Sequence, residues 1–325
     1  MIDFIKIRIY NRPIEHFLSN PLLDFASEFS RKSGLVTDFP MVSRLGSFKI
    51  VIRGNSFVEV SGSIHKHYSS GENWNDFPFN KVCIGINSLC EVLKLTPNEC
   101  IISNIEFGVN VETPVNPTKV LNNLICYKYT PFQAMKSKNG SLGFECYLKQ
   151  YGVKIYSKKK QYDLVNNILR IEVKVIKMQK LPYIKSLQDL LILNNLKLLK
   201  VELQTVIANI LVADKQLEID LLNPKQKELY LKGINPEFWL ELHKICRKKC
   251  RYECKKFKQL TRSYETINYQ DLLRQLIELK TDDLLYSNSC NELTNLPTIL
   301  AVKTSKFSER SYKYSSSGAM FSNNL

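Results

Sequence analysis

No uninterrupted apolar run in this chain approaches the roughly 20 residues that cross a bilayer, so a membrane-spanning role has no support in it. Nine cysteines are present without paired spacing, which argues against a disulfide framework and fits free thiols in a reducing cytoplasm. The opening MIDFIKIRIY places Asp3 early and alternates like a strand, so it does not read as a secretory signal. Internal repeats and low-complexity, coat-like segments are lacking, which disfavours a structural protein. Strict alternation of strand and helix is also missing, and with it the signature of a doubly wound fold.

Acidic residues are in short supply. Lys and Arg number 46 against 31 Asp and Glu, a formal charge of +15 with pI near 9.3, and that imbalance points to a polyanion, with nucleic acid favoured over a membrane surface. With 44% hydrophobic and 24% charged residues, the 325-residue chain suits a folded protein of one large or two ordinary domains.

Hydrophobic periodicity divides the chain. Residues 1–10 alternate as a strand, 14–25 suggest short helices, and Lys49–Arg53 with Ser56–Ile64 suggest a hairpin turning at Arg53-Gly54-Asn55. In an extended strand Glu59, Ser61, Ser63, His65 and His67 share one face. Residues 69–80 carry turn chemistry, 81–95 suit an amphipathic helix, 101–111 a half-buried strand, and 119–126 another helix. Three strands follow, around 144–148, 153–157 and 169–176. After Pro182 the pattern turns helical, over 187–213, 236–260 and 269–285. The expectation is an α+β fold: a largely antiparallel β-sheet catalytic domain with flanking helices over 1–180, an all-α, basic DNA-binding or accessory domain over 181–302, and a disordered tail over 303–325.

Polar strand faces are the candidate site. Glu106, Gly108, Asn110 and Glu112 oppose an apolar set, as do Arg170, Glu172 and Lys174, while Lys154, Tyr156 and Lys158 oppose Val153 and Ile155. If these strands share a sheet, two of these carboxylates with a histidine such as His65 would hold a hard divalent cation, Mg²⁺ or Mn²⁺. A tyrosine nearby, Tyr147 or Tyr156, could attack a phosphodiester. Gly108 keeps the strand surface low enough for a nucleic-acid backbone to approach. The plainer alternative is a solvated sheet face. Between Lys244 and Arg262 only Glu253 interrupts a run of cations, among them Arg247, Lys248, Arg251 and Lys255, which suits phosphate contact. Cys246, Cys250 and Cys254 recur at helical spacing beside His243, but one helix cannot wrap a tetrahedral ion, so they read as structural thiols.

The phrases GSIHKHYSSGENWNDF (62–77), NIEFGVNVETP (104–114), KIYSKKKQY (154–162) and NILRIEVKV (167–175), in this order, resemble replication-initiation proteins of the filamentous-phage gene II type. They also resemble relatives in Bacteroidetes-type phages and plasmids, and more distantly the plasmid initiators with a Tyr-Asp-Lys signature. The resemblance implies a metal-dependent, site-specific nickase that starts rolling-circle replication through a covalent 5′-phosphotyrosine. It implies metal ligation by Glu106 and Glu172, and it matches Tyr156 and Lys158 to the Tyr-x-Lys signature, with Ser157 in place of Asp. Tyr147 falls where related plasmid proteins keep their nucleophile, followed by Lys149-Gln150 instead of Gly-Ser. Lys154, Arg170 and Lys174 would then contact DNA, and host helicase and polymerase would be partners in the bacterial cytoplasm. The rival from another class is a non-catalytic nucleic-acid-binding regulator.

Overall fold

The computed structural model describes residues 1–29, 36–54, 56–136 and 140–287. Its first strand, β1 (Ile2–Ile9), seals Ile5, Ile7 and Ile9 on one face while Lys6 and Arg8 reach outward, as the alternation predicts. The chain continues through α1 (Ile14–Leu18), β2 (Ala26–Phe29) and β3 (Val36–Leu45). The predicted hairpin follows as β4 (Phe48–Ile52) and β5 (Val58–Ser63). Helices α2 (Ile64–Tyr68) and α3 (Phe79–Leu93) lead into the long strand β6 (Cys100–Glu112). Next come α4 (Pro117–Asn122), β7 (Leu124–Tyr127), β8 (Thr130–Pro131) and β9 (Gln133–Ala134). The stretch rich in tyrosine and lysine forms β10 (Gly143–Tyr147), β11 (Tyr151–Ser157), α5 (Lys158–Tyr162) and β12 (Ile168–Val175). Beyond it lie α6 (Leu193–Ala208), β13 (Ile210–Val212), α7 (Pro224–Gly233), α8 (Pro236–Ile245), α9 (Arg247–Tyr264) and α10 (Tyr269–Tyr286).

Ten strands make one sheet in the order β2-β3-β4-β5-β1-β6-β12-β11-β10-β9, and every pairing in it is antiparallel. The fold is therefore α+β with a large antiparallel sheet, as expected. The apolar face of its centre, with Ile105, Phe107, Val109, Ile171 and Val173, shares one core with Leu196, Leu199 and Leu203 of α6 and Leu273 and Ile277 of α10. Helix α10 packs on both β6 and α6. Residues 1–287 form one unit, so the boundary expected at 180 does not part the two helices from the sheet. Leucine spacing reports that a helix has a buried side; it carries no information about which surface covers it.

Residues 181–287 are mostly helical yet include β13, which joins β7 and β8 in a small sheet ordered β13-β7-β8. Over this sheet lies a second core, in which Ile125 and Leu211 meet Trp239 of α8 and Cys250 and Phe257 of α9. The helix expected over 119–126 stops at Asn122, and Leu124–Tyr127 pair as a strand instead. The helix expected over 236–260 is two, broken where Cys246 turns extended at φ −150° and ψ 100°. Among the described residues no helix is long and apolar enough to cross a membrane. The tail expected over 303–325 lies outside the described residues.

Candidate functional site

Register brings the polar positions into rows across the sheet. Tyr147 on β10 faces Gly152 on β11, which faces Lys174 on β12, which faces Glu106 on β6. The next row runs Glu145, Lys154, Glu172, Gly108, and the third Gly143, Tyr156, Arg170, Asn110. Alternation along each strand puts all these side chains on the face opposite the α6 and α10 core. In a pleated sheet such rows set opposite charges side by side at contact distance.

One part of this face is closed over. Residues 69–78, the turn-rich segment of the sequence, form a roof: Asn110 Nδ2 donates to the carbonyls of Asn73 and Trp74 at 3.1 and 3.0 Å. Asn73 Oδ1 accepts from Lys158 Nζ and from the Tyr162 hydroxyl, both at 2.7 Å, and Asn73 Nδ2 donates to Asp3 at 2.8 Å. Asp3 also accepts from the Ser63 hydroxyl and from Arg170 at 3.4 Å. Arg170, 3% exposed, donates through Nε to Glu172 Oε2 at 3.1 Å and through Nη1 to Asn110 at 3.3 Å. Asp3, Arg170 and Glu172 are paired and hydrogen-bonded, the condition under which buried ions are tolerated, whereas among the described residues the Lys158 ammonium has only the Asn73 amide oxygen for a hydrogen-bond partner.

Arg170, expected to contact DNA, and Lys158, matched to the Tyr-x-Lys signature, are sealed beneath this roof instead. Lys158 is fully buried, its ammonium 5.2 and 5.1 Å from the rings of Tyr156 and Tyr162, and burial brings its pKa down to about 7. Tyr156 is also buried, with its hydroxyl donating to Glu172 at 3.2 Å, and burial followed by the Glu172 charge pushes its pKa well up. A nucleophile in that position would have no path to a polymer backbone.

The other part of the face is open. Tyr147 is 43% exposed, its ring lies over Gly152, and its hydroxyl donates to Glu145 Oε2 at 3.1 Å. Burial of the ring raises the phenol's pKa; Lys154 opposes that and Glu145 adds to it. Glu106 and Glu172 meet through Lys154, whose ammonium donates to Glu106 Oε2 and to Glu172 Oε1, each at 2.9 Å. The two carboxylate oxygens therefore lie within twice that distance of each other. Lys174 adds a contact to Glu106 Oε1 at 2.9 Å. Burial disfavours charge on both Glu172 and Lys154, yet Arg170 and Lys154 hold the Glu172 pKa at about 2, and Glu172 and Glu106 raise that of Lys154.

The third ligand expected from the sequence is elsewhere. His65 and His67 do not continue β5: Ser63 caps α2 by accepting from the Lys66 N–H, so both histidines leave the strand on a helix. His65 stacks on Phe77 at 4.5 Å with its Nε2 donating to Asn75 Oδ1 at 2.5 Å, and His67 sits edge-on to Phe48. Among the described residues no three of His, Cys, Asp and Glu come together as a metal site. As they stand, Glu106 and Glu172 fit an ammonium and not a divalent cation, because all four of their oxygens already accept from Lys154, Lys174, Arg170 or Tyr156. Gly108 also has a different use from the one expected. A Cβ there would lie 2.1 Å from the Ile171 carbonyl, so the missing side chain admits β12.

Burial lowers the His65 pKa to about 4. A folded-state pKa below the unfolded one means the unfolded chain binds the proton more tightly, so stability is lost as pH falls from about 6.5 toward 4. The loss is on the order of 2–3 kcal/mol. Urea denaturation at pH 7 and pH 4.5 is expected to show that fall in the native protein and a clearly smaller one in His65→Phe. Equal falls would mean that His65 stays neutral for no energetic reason of its own.

On α9, Arg247, Lys248, Arg251 and Lys255 are exposed and make no ion pair among the described residues. Tyr252 is 58% exposed beneath the Lys256 ammonium. Cys250 and Cys254 are buried free thiols, the structural role expected of all three, but Cys246 is exposed and does not fill it. The sequence reading missed Asp3, Asn73 and Glu145. Glu145 had a signal in its i, i+2 relation to Tyr147; Asn73 had none, because a loop residue's partners are set by tertiary structure. Comparison with protein-family models, curated proteins and solved structures gives no match to this chain.

Proposed function

We propose that this chain is a DNA nicking-joining enzyme that starts rolling-circle replication with Tyr147 as nucleophile. The observation that supports it most is an exposed phenol on the same sheet face as Lys154, Lys174 and Glu106, already donating to a carboxylate. In the reaction the Tyr147 oxygen bonds to phosphorus and the bond from phosphorus to the 3′ oxygen breaks. The phenolic proton passes to Glu145, and the leaving 3′ oxygen takes a proton from water. With a raised pKa the phenol is a poor spontaneous anion, which is why a base within reach matters. Lys154 and Lys174 draw the scissile phosphate to this edge and offset its developing charge. The covalent phosphotyrosine keeps the bond energy for rejoining, and the freed 3′ hydroxyl serves host helicase and polymerase in the bacterial cytoplasm. Eight free thiols among the described residues are in keeping with that compartment. The cations of α9 that make no ion pair among the described residues offer the DNA backbone a further surface.

Incubation with labelled single-stranded origin DNA, with and without Mn²⁺, should yield an adduct that survives denaturant. The rival, a non-catalytic nucleic-acid-binding regulator, is favoured by the complete engagement of both carboxylates within the sheet. It would give steeply salt-dependent binding and no adduct.

Position of the ring offers a finer check. A Cβ on Gly152 would lie 2.4 and 2.5 Å from Cδ1 and Cε1 of Tyr147, so Gly152→Ala has to displace the ring. Since the obstructing group is an exposed side chain, the fold should tolerate the change. Adduct formation is expected to drop at least about tenfold, because small misplacements of a nucleophile cost rate steeply. An unchanged adduct yield would remove Tyr147 from the chemistry.

A further inference from the structure

The two carboxylates that the sequence offered to a metal already share a cation that belongs to the chain. Lys154 stands directly across from Glu172 in the register, and Gly108, the next residue in that row, adds no side chain above the sheet. The lysine therefore has room to extend its ammonium to Glu172 and to Glu106 at the same 2.9 Å. Lys174 holds the second oxygen of Glu106, and Arg170 with Tyr156 holds that of Glu172. Around Glu106, Glu172 and Asp3, which shares Arg170, there are three cationic side chains, so the negative charge is already balanced. Divalent-ion sites in proteins run the other way, with oxygen ligands left free and an excess of carboxylate charge to draw the ion in.

We propose that Lys154 is the resident cation of the Glu106–Glu172 pair, and that the pair accepts a divalent cation only when that ammonium is withdrawn or removed. The ammonium and the ion compete for one position, since each needs the same two oxygens. The position lies at the open rim: Lys154 and Glu106 side chains are 14% and 11% exposed, so exclusion by the roof is not what keeps an ion out. A lysine suits this use because its compact charge rides on a flexible stem, which arginine's planar fork does not. The inference concerns ion binding and stands whether or not Tyr147 attacks DNA.

Binding of Mn²⁺, followed by the electron spin resonance signal of the free ion, tests it on the full chain. The native protein and Glu106→Gln are expected to give the same isotherm, because the pair takes no ion in either. Lys154→Met, which keeps the length of the stem and removes the charge, is expected to gain one Mn²⁺ at least tenfold tighter than any the native protein binds. That gain should vanish in Lys154→Met/Glu106→Gln. Saturable Mn²⁺ binding by the native protein that Glu106→Gln abolishes would overturn the proposal, as would a folded Lys154→Met with no new site. If Lys154→Met does not fold, the comparison of native protein with Glu106→Gln decides alone, since Glu106 lies at the rim and its loss leaves Glu172 paired with Arg170 and Lys154. None of these readouts depends on nicking, so an absent adduct and an absent exclusion of Mn²⁺ are separate failures.

Discussion

Tyr147→Phe is expected to eliminate covalent capture of DNA, by at least about a thousandfold, while Tyr156→Phe retains it within about tenfold. The difference follows from placement. Both tyrosines lie on the polar face, one row apart from the row between them, but Tyr147 is 43% exposed and Tyr156 is 7% exposed. The Tyr156 hydroxyl is spent on Glu172 inside the roofed network, where loss of the bond costs packing and a hydrogen bond, not reactivity. The Tyr147 hydroxyl faces solvent with Glu145 ready to accept its proton. Denaturing gels of protein with end-labelled oligonucleotide resolve the cases. An adduct formed by Tyr147→Phe and lost in Tyr156→Phe would reverse the assignment, and one formed by both would place the nucleophile elsewhere.

Arg170→Met is expected to be the most damaging single change to stability, at about 3–5 kcal/mol. Among the described residues Arg170 is the one group that touches Asp3, Glu172 and Asn110, and all four residues are buried. Methionine fills much of the same volume and removes the charge, which leaves Asp3 and Glu172 ionised in a poorly solvated place. Breaking one partner of a buried network costs far more than the network contributes against an apolar replacement. Chemical denaturation measures the difference. A loss under about 1 kcal/mol would mean that water reaches this face and that the roof is not a roof.

The sheet was readable because its signal is local. Ile5, Ile7 and Ile9, or Ile171, Val173 and Val175, alternate with polar residues over enough length to fix both strand and facing, and the hairpin of β4 and β5 was readable in the same way. Pairing of Glu106 with Glu172 was foreseen in kind, as convergence on one uncovered face. What lay between them was not: Lys154 was read only as a DNA contact, and its bridge between the two carboxylates went unseen because strand alternation gives a side, not a partner. The histidines misled for a different reason. An extended reading carried His65 and His67 past Ser63, whose hydroxyl competes for the backbone and starts α2 there. Helices α6 and α10 were found, yet their place in the sheet's own core depends on contacts distant in sequence.

Asn73 gives the roof a particular mechanical character. Its one side chain is tied to Asp3 on β1 and to Lys158 and Tyr162 of α5, while its backbone carbonyl takes the Asn110 amide of β6. Four attachments that meet at a single residue cannot be released one at a time by bending the segment, because moving Asn73 strains all of them together. The same segment is held at Trp74 by Asn110, at Asn75 by His65 and at Phe77 by the Met1 amine, so residues 69–78 lift from several points together and the charges beneath them meet water as a set or not at all.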